Sequence, residues 1–140
     1  MRVTNIDSQG LTLREKVKNF FLRSVPHGRV GMCPTKDVFA VTTDKWSLFC
    51  LYNLAYHGRM RFGALQKKIP GISARMLSVT LKRLESHHMV ARTMYAEIPP
   101  RVEYELTEFG KGMSEQLIEI STWMMDQHPF YQNATDRSTP

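Results

Sequence analysis

Two short stretches of the chain carry residues whose types and spacing suit contact with nucleic acid. In the first, Arg75, Ser78 and Lys82 recur at intervals that place them on one side of a helix. An arginine there can pair with both acceptors of a guanine, a serine can bond either strand, and a lysine can neutralise a phosphate. In the second, Arg101 follows Pro99-Pro100, which stiffen the tip of a turn. Such residues favour recognition of double-stranded DNA.

Each stretch also has a plainer interpretation. The first has the pattern of any solvated amphipathic helix with ordinary surface charge. In the second, Arg101 can form an ion pair with Glu97 or Glu103 instead of reaching a phosphate or the minor groove. Salt dependence separates the two alternatives for Arg101. If Arg101 contacts a phosphate, its loss lowers the slope of log K for DNA binding against log salt concentration by about 0.9, whereas loss of an ion pair within the protein does not.

The elements that hold these residues have the pattern of a winged helix-turn-helix. Residues 62–68 predict a short helix that ends before the Pro70-Gly71 turn, and Ser73 can cap the next helix, which runs to about Ser86. That second helix has an inward stripe formed by Leu77, Leu81 and Leu84. Residues 90–95 and 101–106 then alternate as strands. The pattern predicts a recognition helix followed by a hairpin wing.

The remaining elements are helical. Apolar residues at helical spacing predict a helix over 11–23, and Pro34 favours a short helix that starts near Cys33. The segment 45–56 is apolar on nearly all sides, so we expect it to be the central buried helix. Thr107 is a good N-cap for a last helix that reaches about residue 127. The expected fold is mainly α with a small β-hairpin wing.

The chain divides, on this interpretation, into four parts: a basic helical arm (1–32), a winged helix-turn-helix DNA-binding domain (33–106), a dimerisation helix (107–128) and a flexible tail (129–140). The terminal helices carry apolar stripes that are too long for one small domain to cover. A homodimer that buries them is therefore expected. The predicted interface residues are Leu13, Val17, Phe20, Phe109, Met113, Leu117, Ile120 and Met124.

Composition and charge limit the class of protein. The 140 residues carry a net charge of +6, but residues 59–101 alone carry +7 and residues 102–140 carry −5. Such segregation indicates one face suited to phosphate. No transmembrane segment or secretory signal is evident, and only two cysteines occur, so a cytoplasmic protein is expected. No catalytic set or cofactor motif stands out, and the adjacent pair His87-His88 is a poor metal site.

The two cysteines receive different predictions. Cys33 lies before Pro34, near the start of a helix, where the helix dipole lowers the pKa of a thiol. It can therefore act as a redox or electrophile sensor, or it can be an inert residue at a cap. Cys50, on the apolar segment 45–56, is expected to fill space in the core.

The stretch 33–113 resembles the HxlR-type winged helix-turn-helix transcriptional regulators. The resemblance rests on CP at 33–34, DKW at 44–46, RFGALQKKIPGISARMLSVTLKRLE at 61–85 and YAEIPPRVEYELTEFG at 95–110. It implies a small homodimer that binds operator DNA, and some members sense electrophiles or disulfide stress through an N-terminal cysteine. The chain departs from the family pattern at Asp44 and His88, where glycine is common. Neither change lies on the DNA-facing side.

The function predicted from these features is sequence-specific regulation of transcription, with a palindromic operator as the DNA partner and no enzymatic activity. The identity of any small-molecule effector is open. The residues expected at the DNA are Arg61, Ser73, Arg75, Ser78, Val79, Lys82 and Arg101. The alternative is a winged helix that binds other proteins and not DNA. A small basic nuclease is disfavoured, because the basic half of the chain lacks paired carboxylates.

Overall fold

A computed structural model describes residues 10–24 and 35–128 of the chain. Two compact units divide the sequence, residues 1–40 and residues 41–140. The first contains helix α1 (Leu13–Ser24), and the boundary falls inside helix α2 (Lys36–Thr42). The short helix predicted near Cys33 therefore begins at Lys36, and Cys33 itself lies outside the described residues.

Helix α1 begins with a reciprocal cap. The backbone N–H of Thr12 donates to the carboxylate of Glu15 at 2.8 Å, and the N–H of Glu15 donates to the hydroxyl of Thr12 at 3.3 Å. Two N–H groups that the helix leaves unpaired are satisfied in this way. The hydrogen bonds from Thr12, from its backbone first and then from its hydroxyl, lower the pKa of Glu15 below its ordinary value.

The second unit holds the remaining helices: α3 (Lys45–His57), α4 (Phe62–Lys68), α5 (Ala74–Ser86) and α6 (Glu108–Gln127). Their predicted bounds are confirmed to within about a residue, and so are the helix caps expected from the sequence. The side chain of Ser73 accepts a hydrogen bond from the N–H of Met76 at 3.0 Å, and that of Thr107 accepts from Gly110 at 3.0 Å. These caps fix where α5 and α6 start.

The three strands form one antiparallel sheet in the order β1-β3-β2: β1 (Met60–Arg61), β2 (Val90–Tyr95) and β3 (Arg101–Leu106). The predicted hairpin is confirmed, with Val90 opposite Leu106 and Tyr95 opposite Arg101. Strand β1 was not predicted, because two residues are too few to show an alternating pattern. It pairs Met60 with Tyr104 and Arg61 with Glu103, which joins the start of α4 to the wing.

The core of the second unit is made by one face of each helix and the inner side of the sheet. Its fully buried side chains include Leu51, Leu54, Leu65, Ile69, Leu77, Leu81, Leu84, Met89 and Val90. Helix α3 is the central helix, as predicted, and packs against α4, α5, α6 and β3. It is not buried on nearly all sides, however. Phe49 and Tyr56 of that helix are 41% and 85% exposed, because the core residues Ser47, Cys50, Leu51 and Leu54 occupy only one side.

A left-handed residue ends α5. His88 has φ 59°, its N–H donates to the carbonyl of Glu85, and the next N–H, of Met89, donates to the carbonyl of Leu84, each at 3.0 Å. This is a Schellman cap, and the buried side chains of Met89 and Leu84 supply its apolar contact. Histidine thus fills a position where the family commonly has glycine, and the chain still turns from α5 into β2.

The start of α6 is joined to the start of β2. Thr107 donates its N–H to the carbonyl of Met89 at 3.1 Å and its hydroxyl to the carbonyl of His88 at 2.5 Å. Gly110 approaches the same backbone so closely that a Cβ there would lie 2.0 Å from the oxygen of Met89. Only glycine fits this position, so α6 and the wing form one connected framework.

Candidate nucleic-acid interface

The outer side of α5 presents two basic side chains together with exposed apolar ones. The four buried residues of the helix, Leu77, Thr80, Leu81 and Leu84, lie on one side. Arg75, Val79 and Lys82 lie on the opposite side and are exposed, and Val79 is 43% exposed. Ser78 is half-buried at the border between the two sides. Among the residues that the structure describes, Arg75 and Lys82 have no acidic partner.

The turn before α5 determines how the helix projects. Gly71 has φ 81°, a conformation that favours glycine, and a Cβ at this residue would lie 4.0 Å from the ring of Trp46. Ile69 and Ile72 on either side of the Pro70-Gly71 turn are buried. The two short helices are therefore anchored through their turn, and Ser73, which caps α5, stays exposed at the end of the turn.

The outer side of the sheet carries a second group of arginines, and these are paired with carboxylates. Arg59 donates to the carboxylate of Glu105 from Nη2 at 2.7 Å and from Nε at 3.3 Å, and to the hydroxyl of Tyr95 from Nη1 at 2.8 Å. The hydrogen bond to Glu105 and its charge raise the pKa of Arg59 above its ordinary value. The fully charged arginine thus bridges the end of α3 to both strands of the wing.

Glu103 lies at the centre of this arginine group. Its carboxylate is 3.4 Å from Nε of Arg101, 3.9 Å from Nη1 of Arg59 and 4.0 Å from Nε of Arg61. The side chain of Glu103 is 16% exposed, whereas that of Arg61 is 63% exposed. We call Arg59, Arg61, Arg101, Glu97, Glu103 and Glu105 the wing ion cluster.

Arg101 is the most restrained arginine of the wing ion cluster. Its guanidinium lies 4.0 Å above the ring of Tyr95, and Nη2 lies 3.4 Å from the carboxylate of Glu97. Its Nε pairs with Glu103 at 3.4 Å without the geometry of a hydrogen bond. The side chain is 26% exposed. Both acidic partners that the sequence offered as the plainer interpretation of Arg101 are thus in place.

The predicted DNA-facing residues therefore fall into two groups. Ser73, Arg75, Ser78, Val79 and Lys82 lie on or beside the outer face of α5, while Arg61 and Arg101 lie in the wing ion cluster. The sequence did not reveal that Arg59 pairs with Glu105 or that Glu103 is shared among three arginines. A signal was present, because Arg59 and Arg61 have the same two-residue spacing as Glu103 and Glu105, which is the spacing of paired strands.

Cys50 is a free thiol with no exposed surface, which confirms it as a core residue. Burial, together with the charge of Asp44, raises the pKa of Cys50 to about 12.

Across residues 10–24 and 35–128, no group of three or more His, Cys, Asp or Glu side chains is arranged to hold a metal ion.

Helix α6 has an exposed apolar side. Phe109, Ile120, Trp123 and Met124 are between 41% and 63% exposed, and Met113 is half-buried among them. Leu117, predicted on the same surface, is only 8% exposed and belongs to the core of its own domain. Leu117 lies at one edge of the apolar stripe of α6, next to Gly110 and Ser114, which are the other buried residues of the helix. The hydroxyl of Ser121 on α6 lies 3.0 Å from that of Tyr52 on α3.

The described helices of this chain include none with the combination of length and apolar character that crossing a bilayer requires.

The helix-turn-helix of α4 and α5, followed by the β2–β3 hairpin and a long helix, defines the class of winged helix-turn-helix regulators. Residues 41–131 match the model of the HxlR-like helix-turn-helix family, and the chain belongs to that family. It is a transcriptional regulator with a helix-turn-helix domain.

Known proteins similar to this chain include transcriptional regulators. The HTH-type transcriptional regulator YdeP of Bacillus subtilis is 35% identical over 91 residues, which cover 65% of this chain and 70% of YdeP. The solved structure of the transcriptional regulator ytfH from Salmonella typhimurium is 31% identical with a TM-score of 0.64, and covers 76% of this chain and 94% of that one. The redox regulator HypR in its reduced form is 30% identical with a TM-score of 0.62, over 71% and 98% of the two chains.

Proposed function

We propose that this protein regulates transcription by binding a palindromic DNA operator as a homodimer. The observation that carries the proposal is the outer face of α5, where Arg75 and Lys82 are exposed and have no acidic partner in the part of the chain that the structure describes. An exposed, unpaired cation can neutralise a phosphate or bond a base without first losing an ion pair. Membership of a helix-turn-helix family supports DNA as the partner.

The residues of α5 have distinct proposed roles. Arg75, in the first turn of the helix, pairs with a guanine in the major groove, where the N-terminal part of a recognition helix meets base edges. Ser78 and Val79 follow one turn later and contact neighbouring bases. Lys82 contacts a phosphate. The hydroxyl of Ser73 donates a hydrogen bond to the DNA backbone, while its oxygen accepts one from the N–H of Met76 and so caps the helix. Arg61 and Arg101 are the proposed contacts of the wing region.

A second copy of the chain is the proposed cover for the exposed side of α6. Ile120 and Trp123 are 53% and 63% exposed, and burial of such side chains stabilises a complex. In the N-terminal unit, Leu13, Val17 and Phe20 are exposed as well and are proposed to join this interface. A twofold dimer would set two recognition helices about 34 Å apart, one turn of DNA.

Light scattering at micromolar concentration tests the dimer. We expect a dimer for the wild type and a monomer for Ile120→Glu, which places a charge on the exposed apolar side of α6. Ile118→Glu is the matched control, because Ile118 is 45% exposed but lies on nearly the opposite side of the helix. A monomeric wild type, or equal effects of the two substitutions, would contradict the proposed interface.

The proposed signal is oxidation or alkylation of Cys33. This residue lies outside the described part of the chain, and its support comes from the Cys33-Pro34 sequence and from the similar structure described as a redox regulator. The other thiol, Cys50, is buried with a raised pKa and is unsuited to react. We expect the protein to act in the cytoplasm, where thiols are normally kept reduced.

Selection of bound duplexes from a random pool, with and without the thiol oxidant diamide, tests the proposed function. We expect enrichment of a palindrome with half-sites about one helical turn apart, and loss of the bound duplexes with diamide. A Cys33→Ser variant should keep binding when diamide is present. Failure to enrich any duplex would reject the DNA-binding role and favour a winged helix that binds other proteins, and oxidant-insensitive binding would reject Cys33 as the sensor.

A further inference from the structure

The two carboxylates that hold Arg101 differ in their surroundings. Glu103 is 16% exposed and is shared among three arginines, so it is part of the framework of the sheet. Glu97 is 51% exposed and lies at the start of the wing tip. Within the described residues, its carboxylate has an ion pair with Arg101 alone. Of the two partners of Arg101, Glu97 is the one that another anion can replace.

An open groove lies at the site of that ion pair. It has a volume of about 380 Å³ and runs between the start of α4 and the wing tip. Arg61 and Arg101 line it together with Glu97, Phe62 and the two prolines of the tip. Glu97 is thus the acidic side chain of a groove that otherwise contributes two arginines and apolar surface, and Arg61 is 63% exposed.

We infer that Glu97 occupies the place of a DNA phosphate at Arg101 and limits the affinity of this protein for duplex DNA. When DNA binds, a phosphodiester oxygen replaces the carboxylate of Glu97 at Nη2 of Arg101, while Glu103 and the ring of Tyr95 keep the guanidinium in position. Arg61, across the groove, adds a second positive charge. The inference rests on the proposed DNA binding and names the residue that opposes it.

The exchange is feasible because exposed ion pairs are weak. Because the carboxylate of Glu97 is 51% exposed to water, its pair with Arg101 contributes little, and a phosphate can compete for the guanidinium. Removing the charge of Glu97 has two effects in the same direction. It frees Arg101 for the phosphate, and it removes a negative charge from the groove that the phosphate approaches.

The test compares the wild type with Glu97→Gln by fluorescence anisotropy on a labelled duplex of mixed sequence, across about 50–200 mM salt. We expect Glu97→Gln to bind about two- to fivefold more tightly. We also expect its slope of log K against log salt concentration to steepen, by at most about 0.9, because no carboxylate is left unpaired beside the DNA to offset the phosphate contact of Arg101. Glu119→Gln, on an exposed position of α6, is the matched control for the change in net charge.

Arg101→Ala, alone and combined with Glu97→Gln, completes a double-mutant cycle. If Glu97 acts by occupying Arg101, the gain from Glu97→Gln disappears when Arg101 is absent. A gain that persists without Arg101, or one that Glu119→Gln reproduces, would overturn the inference, as would equal binding by the wild type and Glu97→Gln. These outcomes leave the proposed function intact, whereas failure of the wild type to bind any duplex would overturn both.

Discussion

Helix α5 and the wing both carry arginines towards solvent, but they differ in how these charges are balanced. Arg75 and Lys82 on α5 have no acidic partner in the described part of the chain, whereas Arg59, Arg61 and Arg101 at the wing lie within 4.0 Å of a glutamate carboxylate. The local charge of +7 over residues 59–101 is therefore unevenly available. The unpaired cations on α5 can meet DNA at once, whereas the arginines of the wing ion cluster must exchange a partner.

Pairing with carboxylates determines which cations of the basic stretch 59–101 are available to bind DNA. Glu103 and Glu105, which belong by sequence to the acidic end of the chain, are brought by β3 to the arginines around β1. These pairs offset the charges of Arg59, Arg61 and Arg101 and connect β3 to β1 and to the end of α3. Lys67, Lys68, Arg75 and Lys82 are exposed on α4 and α5 and form no ion pair within the described residues, so these helices can attract a phosphate backbone.

The largest expected effect is loss of the framework that both regions share. Gly110→Ala would place a Cβ 2.0 Å from the carbonyl oxygen of Met89, at the joint between α6 and the wing. We expect it to lower the free energy of unfolding by about 3 kcal/mol. Urea denaturation measures this change.

Gly112→Ala is the matched control for Gly110→Ala. It lies on the same helix with no atom within 4 Å of its added Cβ. Because alanine is the better helix former, we expect it to stabilise the protein by about 1 kcal/mol. Equal stability of the two variants would show that the close approach of Gly110 to β2 is not required.

The next effect concerns α5 alone. Arg75→Ala should weaken binding of the selected operator by about 1–3 kcal/mol and relax the preference at one base pair, because the proposed guanine contact is lost. Lys111→Ala removes the same charge from α6, where Lys111 pairs with Glu108 at 2.8 Å, and should change binding little. A gel-shift titration in which both variants match the wild type would reject the role of Arg75.

A smaller effect is expected at the residue that connects the two regions. His88 adopts φ 59° between α5 and β2, a conformation that costs a non-glycine residue free energy. His88→Gly should raise the free energy of unfolding by about 0.5–1 kcal/mol. We expect DNA affinity to be unchanged, since His88 follows the C-terminal end of α5, far from Arg75 in the first turn of the helix. Loss of stability in thermal denaturation would mean that the imidazole makes a contribution beyond its backbone conformation.

The sequence predicted the local elements well and the long-range pairings poorly. Caps, leucine spacing and prolines indicated α4, α5, α6 and the hairpin, because each depends on neighbours within a few residues. Strand β1 pairs Arg61 with Glu103, and Arg59 pairs with Glu105, which lies 46 residues further along the chain. The matching spacing of these arginines and glutamates is compatible with pairing, but it does not by itself bring such distant positions together.

The same limit explains the errors in assigning buried faces. Periodicity identified the apolar stripe of α6 but not which edge of it the domain covers, so Leu117 was placed on the outer surface. On α3 apolar composition suggested burial all round, although the core needs only one side of that helix. The outer face of α5 was predictable, because its buried leucines and exposed cations lie on opposite sides.

The availability of the cations on α5 and at the wing for a phosphate can be compared directly. The measurement is the salt dependence of duplex binding by Lys82→Ala and by Arg101→Ala. If Lys82 contacts a phosphate, and if the phosphate contact of Arg101 is offset by the carboxylate of Glu97 that it releases, Lys82→Ala should lower the slope of log K against log salt concentration by about 0.9 and Arg101→Ala by clearly less. The opposite ranking, with the larger loss at Arg101 and none at Lys82, would contradict the account.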